Sequence, residues 1–100
     1  KDDKAAEDYF SKALRLDANN HRAIFFLADI AFRQGRIEEA RKYLAELHKQ
    51  ADSSPESLWL AVRIERKIGD KDAEARYSSQ LRRKFPGSPE QAKLLQGRYE

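Results

Sequence analysis

Residues 35–47 read Gly35-Arg36-Ile37-Glu38-Glu39-Ala40-Arg41-Lys42-Tyr43-Leu44-Ala45-Glu46-Leu47, and this stretch decides the fold. Ala40, Leu44 and Leu47 stand at i, i+4 and i+7, the spacing of one face of an α-helix. Gly35, just ahead of them, ends one helical pattern before the next begins. The same spacing lies upstream in Ala6, Phe10 and Ala13, and it returns downstream, at nearly the same interval, in Ala73 and Tyr77. Gly69 follows Gly35 by a matching interval. A recurrence of this kind predicts stacked helical hairpins. Small Ala side chains let two antiparallel helices approach closely, the larger residue fills the adjoining gap, and Gly turns the corner.

Working outward, the pattern predicts six helices. The first covers about 3–16 and buries Ala6, Phe10, Ala13 and Leu14. Asp17-Ala18-Asn19-Asn20 is a turn that ends in an N-cap, Asn20. The second helix, about 21–34, buries Ile24, Leu27, Ala28 and Ala31, and the third, about 37–51, buries Ile37, Ala40, Leu44 and Leu47. Ser54 caps a fourth helix that has Pro55 at its first position and runs to Ile68, with Leu58, Ala61, Val62 and Ile68 facing inward. Gly69-Asp70 turns into a fifth, about 72–84, carrying Ala73, Tyr77 and Leu81. This corner reads one residue shorter than the previous one, since Gly35 to Ala40 is five positions and Gly69 to Ala73 is four. After Phe85-Pro86-Gly87, Ser88 and Gln91 form a capping box for a short closing helix with Ala92, Leu95 and Tyr99 on its apolar side. No alternating Val-, Ile- or Thr-rich segment suggests a strand.

The 100 residues are 40% apolar and 37% charged, which suits one domain, 1–100, built of thin helical layers. Net charge is +3, with 20 basic residues dispersed among 17 acids rather than gathered into a stripe, so no nucleic-acid partner is expected. Cys is absent, which removes disulfides and thiolate metal sites. No stretch has the apolar length of a membrane span. His21 and His48 lie far apart in the chain with no ligand-type neighbour and read as surface histidines. The acid pairs Glu38-Glu39 and Asp70/Asp72 fall near helix N-termini, where the macrodipole favours negative charge. No phosphate loop or nucleophile elbow is present. The expectation is no enzyme, no catalytic residue, no metal and no cofactor.

A helix–turn–helix period of about 34 residues, with Ala, an aromatic and Gly at these offsets, resembles the tetratricopeptide repeat (TPR) signature. The resemblance implies an all-α superhelix of helical hairpins, about two and a half repeats plus a C-terminal capping helix. The divisions are a partial repeat 1–20, repeats 21–54 and 55–86, and a cap 88–99, with Ala18 standing where the TPR pattern usually has Pro. The first helix of each TPR hairpin lines a concave, protein-binding face. In one repeat the lining positions are Arg22, Phe25, Asp29, Phe32 and Arg33; in the next they are Glu56, Trp59, Arg63, Arg66 and Lys67. Adjacent repeats would thus present Phe25, Phe32 and Trp59 beside Arg33, Arg63, Arg66 and Lys67. Exposed aromatic and Arg side chains dominate binding hot spots. Trp59 stands one position after the usual TPR Trp site, so packing between repeats is an equal alternative for it, and the cations can also be read as a solvated face. Phe25 and Asp29 stand where chaperone-tail carboxylate clamps use Lys and Asn, so that specialised role is not expected.

The second half carries a narrower resemblance. Ser57-Leu58-Trp59-Leu60, Arg63-Ile64-Glu65-Arg66, Gly69-Asp70, Asp72-Ala73, Tyr77, Gln80-Leu81, Phe85-Pro86 and Ser88 resemble the C-terminal repeat of type IV pilus biogenesis proteins of the PilF/PilW pilotin family. The resemblance covers most of the chain and is specific over 57–90. It implies a periplasmic lipoprotein of several TPRs, anchored to the outer membrane by an acylated N-terminal Cys, which assists localisation and assembly of the pilus secretin. The implied partner is that outer-membrane secretin, with membrane contact only through a lipid anchor outside this sequence. The chain accordingly reads as a C-terminal fragment whose upstream repeats and targeting signal lie elsewhere. Without a preceding helix, the stripe Ala6, Phe10 and Ala13 would be left to water, and self-association through the N-terminal helix is expected. The rival readings are a cytoplasmic TPR adaptor or co-chaperone and an RNA-binding helical repeat.

Overall fold

Polar caps fix where most of the helices begin. The computed structural model describes residues 2–99; Lys1 and Glu100, at the ends of the expected domain and repeat ranges, lie outside the described residues. The helices are α1 (Asp3–Leu16), α2 (His21–Arg33), α3 (Ile37–Gln50), α4 (Pro55–Ile68), α5 (Lys71–Lys84) and α6 (Pro89–Gln96), with no strand among the described residues. The side chains of Asp2, Asn20, Ser54, Asp70 and Ser88 each accept a hydrogen bond from the backbone N–H three residues on. Each such bond satisfies a donor that the first helical turn leaves open. At α4 the arrangement is reciprocal, because the Ser54 N–H donates back to Ser57 Oγ at 2.9 Å. The box expected at α6 is only half formed: Gln91 Oε1 accepts from the N–H of Gly87 at 3.4 Å, while the Ser88 N–H donates to the Phe85 carbonyl.

The chain divides into two compact units, Lys1–Asp52 and Ser53–Glu100. In the first, α2 packs against both α1 and α3. Its interior is lined by Ala23, Ile24, Leu27, Ala28, Ile30 and Ala31 of α2 and by Ala40, Leu44 and Leu47 of α3. The alanines let the α2–α3 hairpin close tightly. No residue of α1 is fully buried, yet Ala6, Phe10, Ala13 and Leu14 are all half covered, and the Phe10 ring stacks on Phe26 of α2 with centroids 5.0 Å apart. The stripe expected to be left to water is therefore largely closed by α2, and the large apolar side chains of α1 that remain exposed are Tyr9 and Leu16.

In the second unit α4 packs against α5, and α6 touches both. Leu58, Trp59, Val62 and Leu81 form the core, flanked by Tyr77, Phe85, Leu94 and Tyr99. Leu94 is thus the inward residue of α6, whereas Leu95 is 70% exposed and Ala92 is exposed. The eight residues of α6 end at Gly97, whose left-handed backbone (φ 69°) returns the chain and carries Tyr99 inward. That reversal breaks the helical spacing that linked Leu95 to Tyr99.

The two glycine corners also differ from expectation. Gly35 and Gly69 both have positive φ, 83° and 92°, and the following helix begins two residues later in both cases. The corners are equally long. The one-residue difference lies inside the helices, where Ala40 is the fourth residue of α3 and Ala73 the third of α5.

Candidate protein-binding faces

On α2 the stripe Arg22, Phe25, Asp29, Phe32 and Arg33 is presented as the helical spacing requires, with Phe25, Asp29 and Phe32 half-buried and Arg22 and Arg33 exposed. Its charges are already engaged. Arg33 Nη1 donates to both carboxylate oxygens of Asp3 at 2.9 and 2.7 Å, and its Nε donates to Asp29 at 3.1 Å. Hydrogen bonding to Asp3 raises the guanidinium pKa further above its ordinary value against the opposing effect of burial, and Asp29 adds to the rise. Arg33 is thus a braced cation between two helices rather than a loose one. The Arg22 guanidinium lies 5.2 Å from the Phe26 ring centroid. Phe26 in turn meets Phe25 edge-on at 5.5 Å and Phe10 face-on, while Tyr9 meets Phe10 edge-on at 5.2 Å. Four rings, Tyr9, Phe10, Phe26 and Phe25, therefore run continuously across the α1–α2 surface.

Sequence spacing did not single out Tyr9, Phe10 or Phe26 as members of a binding face. Phe26 is adjacent to Phe25, so a strict stripe admits only one of them. The doublet itself was the available signal, since two neighbouring rings on a helix cannot both leave the surface on one side.

On α4 the outcome differs. Trp59 is only 4% exposed and belongs to the core of its own unit, so the expectation that it is displayed as a surface anchor is corrected. It neighbours Leu58 on the flank of the buried stripe, and burying so large a ring outweighs keeping it in contact with water. Its outer face is covered by Tyr99, stacked with centroids 5.6 Å apart and ring planes 24° apart. Arg63, half-buried, places its guanidinium 5.5 Å from the Trp59 ring centroid. Arg66 lies 4.0 Å over Tyr99 and also pairs with Glu74 at 3.4 Å. Glu56 and Lys67 are exposed.

A third locality was not anticipated. Arg36, at the start of α3, bridges Glu7 of α1 at 3.0 Å and Glu39 at 2.8 Å. Burial, and then the carboxylates of Glu39 and Glu7, raise the Tyr43 pKa above its ordinary value. This links α1 to α3 by charge and reads as bracing. Among the described residues no cluster of three or more His, Cys, Asp or Glu could hold a metal ion, and no helix is long and apolar enough to cross a membrane.

Comparison with known proteins agrees with this architecture. The chain is 33% identical over 85 residues to the type IV pilus assembly protein PilF of Pseudomonas aeruginosa (strain PAO1), a match covering 85% of this chain and 34% of that protein. It thus spans about a third of the relative's length. A solved structure from a functional characterization of Pseudomonas aeruginosa PilF superposes with a TM-score of 0.83 at 30% identity, covering 91% of this chain and 41% of that one. The tetratricopeptide repeat family matches residues 2–63. Hairpins that turn on left-handed glycines one repeat period apart, matched to that family over more than half the chain, make this protein a member of the tetratricopeptide repeat family, whose repeats mediate protein–protein interaction.

Proposed function

We propose that this chain is a non-enzymatic protein-binding segment of a type IV pilus assembly factor, acting as pilotins do on the localisation and assembly of the outer-membrane secretin. The observation that supports it is the similarity to Pseudomonas aeruginosa PilF, spread along 85 residues and accompanied by a shared fold. On this reading the protein works at the outer membrane from the periplasm, with a lipid anchor carried by sequence outside this chain. The open aromatic surface of α2 and α1 is the contact face, with Phe25 and Phe32 as anchors. The engagement of Arg33 by Asp3 and Asp29, and of Arg66 by Glu74, favours a protein partner over a polyanion, because these cations are already neutralised.

The test is made in the whole protein that contains this chain. Phe25→Ala and Phe32→Ala should each weaken binding to the purified secretin by about 1–3 kcal/mol, the range of interface anchors. Secretin multimers should fall in parallel, with the melting temperature nearly unchanged. Full multimer assembly in the double variant would overturn the assignment of this face.

A further inference from the structure

Tyr99 sits on the very stripe of α4 that the repeat spacing marks as a binding face. Trp59, Arg63 and Arg66 stand at i, i+4 and i+7, one above another along α4. The order of groups through the stack is Arg63, Trp59, Tyr99 and Arg66, a cation at each end and two rings between. The inner ring belongs to α4, whereas the outer one arrives from beyond α6. It is delivered by the left-handed turn at Gly97, held by hydrogen bonds from the Gly97 N–H to the Leu94 carbonyl and from the Arg98 N–H to the Lys93 carbonyl at 2.9 Å. A side chain so placed is a ligand in all but tether.

We propose that the Trp59–Arg63–Arg66 stripe is a binding site for an aromatic side chain of a partner protein, held closed by Tyr99 as an intramolecular plug. This deepens the reading of the chain as a protein-binding module and rests on it. The chemistry of the plug defines the chemistry of the ligand. A Tyr, Phe or Trp ring would stack on Trp59 and lie under the Arg66 guanidinium, as Tyr99 does. Lys67, the residue after Arg66 on α4, is exposed and adds positive charge to the same stretch of helix, so the favoured ring is flanked by Asp or Glu. A tethered ligand of this kind acts at an effective concentration on the order of millimolar. The apparent affinity of a free ligand falls by the fraction of time the site is open.

Trp59 is the single Trp of the chain, so its fluorescence reports the stripe directly. The probe is the blocked tripeptide acetyl-Asp-Tyr-Glu-amide, with acetyl-Asp-Leu-Glu-amide as control, titrated into wild type, Tyr99→Ala and Tyr99→Phe. Removing the plug should tighten binding of the tyrosine peptide by about tenfold or more, as the closed fraction is abolished. Tyr99→Phe keeps the stack and should behave as wild type. The leucine peptide should bind no variant, and adding Arg66→Gln to Tyr99→Ala should reverse the gain. Equal titrations of Tyr99→Ala and wild type would overturn the proposal, as would a leucine peptide that binds as well as the tyrosine one. Should circular dichroism show Tyr99→Ala to be unfolded at the assay temperature, Tyr99→Leu, which retains apolar cover without a ring, carries the same comparison. The assay contains no secretin. A positive result beside intact secretin assembly in the Phe25 and Phe32 variants would keep the plug and reject the α2 face as the secretin contact.

Discussion

The α2 and α4 stripes occupy equivalent positions in their hairpins, and the chain around them treats each differently. On α2 the cation at the C-terminal end, Arg33, is tied to carboxylates, and Phe25 and Phe32 stay partly open. On α4 the cations Arg63 and Arg66 lie over rings, and the one large aromatic, Trp59, is sealed beneath Tyr99. The deciding neighbours are the flanking elements. The helix before α2 supplies Asp3 and Phe10, and the segment after α6 supplies Tyr99. Repeat register therefore says which side chains can form a face, while the adjoining element decides whether that face is available.

The largest effect that would break this contrast is at Trp59. Trp59→Ala should destabilise its unit by about 3–5 kcal/mol, the range for emptying a buried aromatic site. Phe25→Ala, at a half-exposed ring, should cost no more than about 1 kcal/mol. Urea denaturation followed by circular dichroism measures both. Similar midpoint shifts would mean that Trp59 is not the core residue its 4% exposure makes it.

Next in size is overpacking in the first unit. Its core is rich in alanine (Ala23, Ala28, Ala31 and Ala40), where that of the second unit relies on Leu58, Trp59, Val62 and Leu81. Close helix approach leaves no room beside Ala40, which is fully buried. Ala40→Leu should cost about 1–3 kcal/mol. Ala45→Leu, on the exposed side of the same helix, should stay within about 0.5 kcal/mol of wild type. Equal losses would show that the two sides of α3 are packed alike.

What was legible in the sequence follows the range of the interactions. The starts of α2, α4 and α6 were readable from Asn20, Ser54 and Ser88, because a cap acts within three residues. The Ala40, Leu44 and Leu47 face was readable for the same reason, as it repeats within two helical turns. The face of α6 was not, since the turn at Gly97 changes which of Leu94 and Leu95 shares a side with Tyr99. Arg33 was seen as a candidate, but its partner Asp3 is 30 residues away, and nothing local marks that pairing. The plugging of Trp59 was hidden in the same manner, because Tyr99 reaches it only through the fold. For the candidate faces, then, helical spacing identified the stripes, and distant polar and ring contacts determined their state.

The smallest effect separates the two ways of holding a cation. A double-mutant cycle on Asp3→Asn and Arg33→Gln should give a coupling of about 0.2–1 kcal/mol, because the Arg33 and Asp3 side chains remain 40% and 28% exposed. Asp29 tempers each single substitution, since Arg33 keeps that carboxylate when Asp3 is neutralised. The cycle cancels this, along with the loss of negative charge at the start of α1. The equivalent cycle on Arg66→Gln and Tyr99→Leu should give about 0.5–1 kcal/mol. Salt then distinguishes them. Raising sodium chloride from about 0.1 to 1 M shortens the screening length from about 10 to 3 Å. The exposed carboxylate pair should lose most of its coupling over that interval. The Tyr99 ring carries no net charge for salt to screen, and its attraction for Arg66 is a short-range charge–quadrupole one, so that coupling should change less. Equal salt sensitivity in the two cycles would mean that both cations are held by simple charge attraction, and the distinction between a carboxylate-braced α2 and a ring-capped α4 would fail.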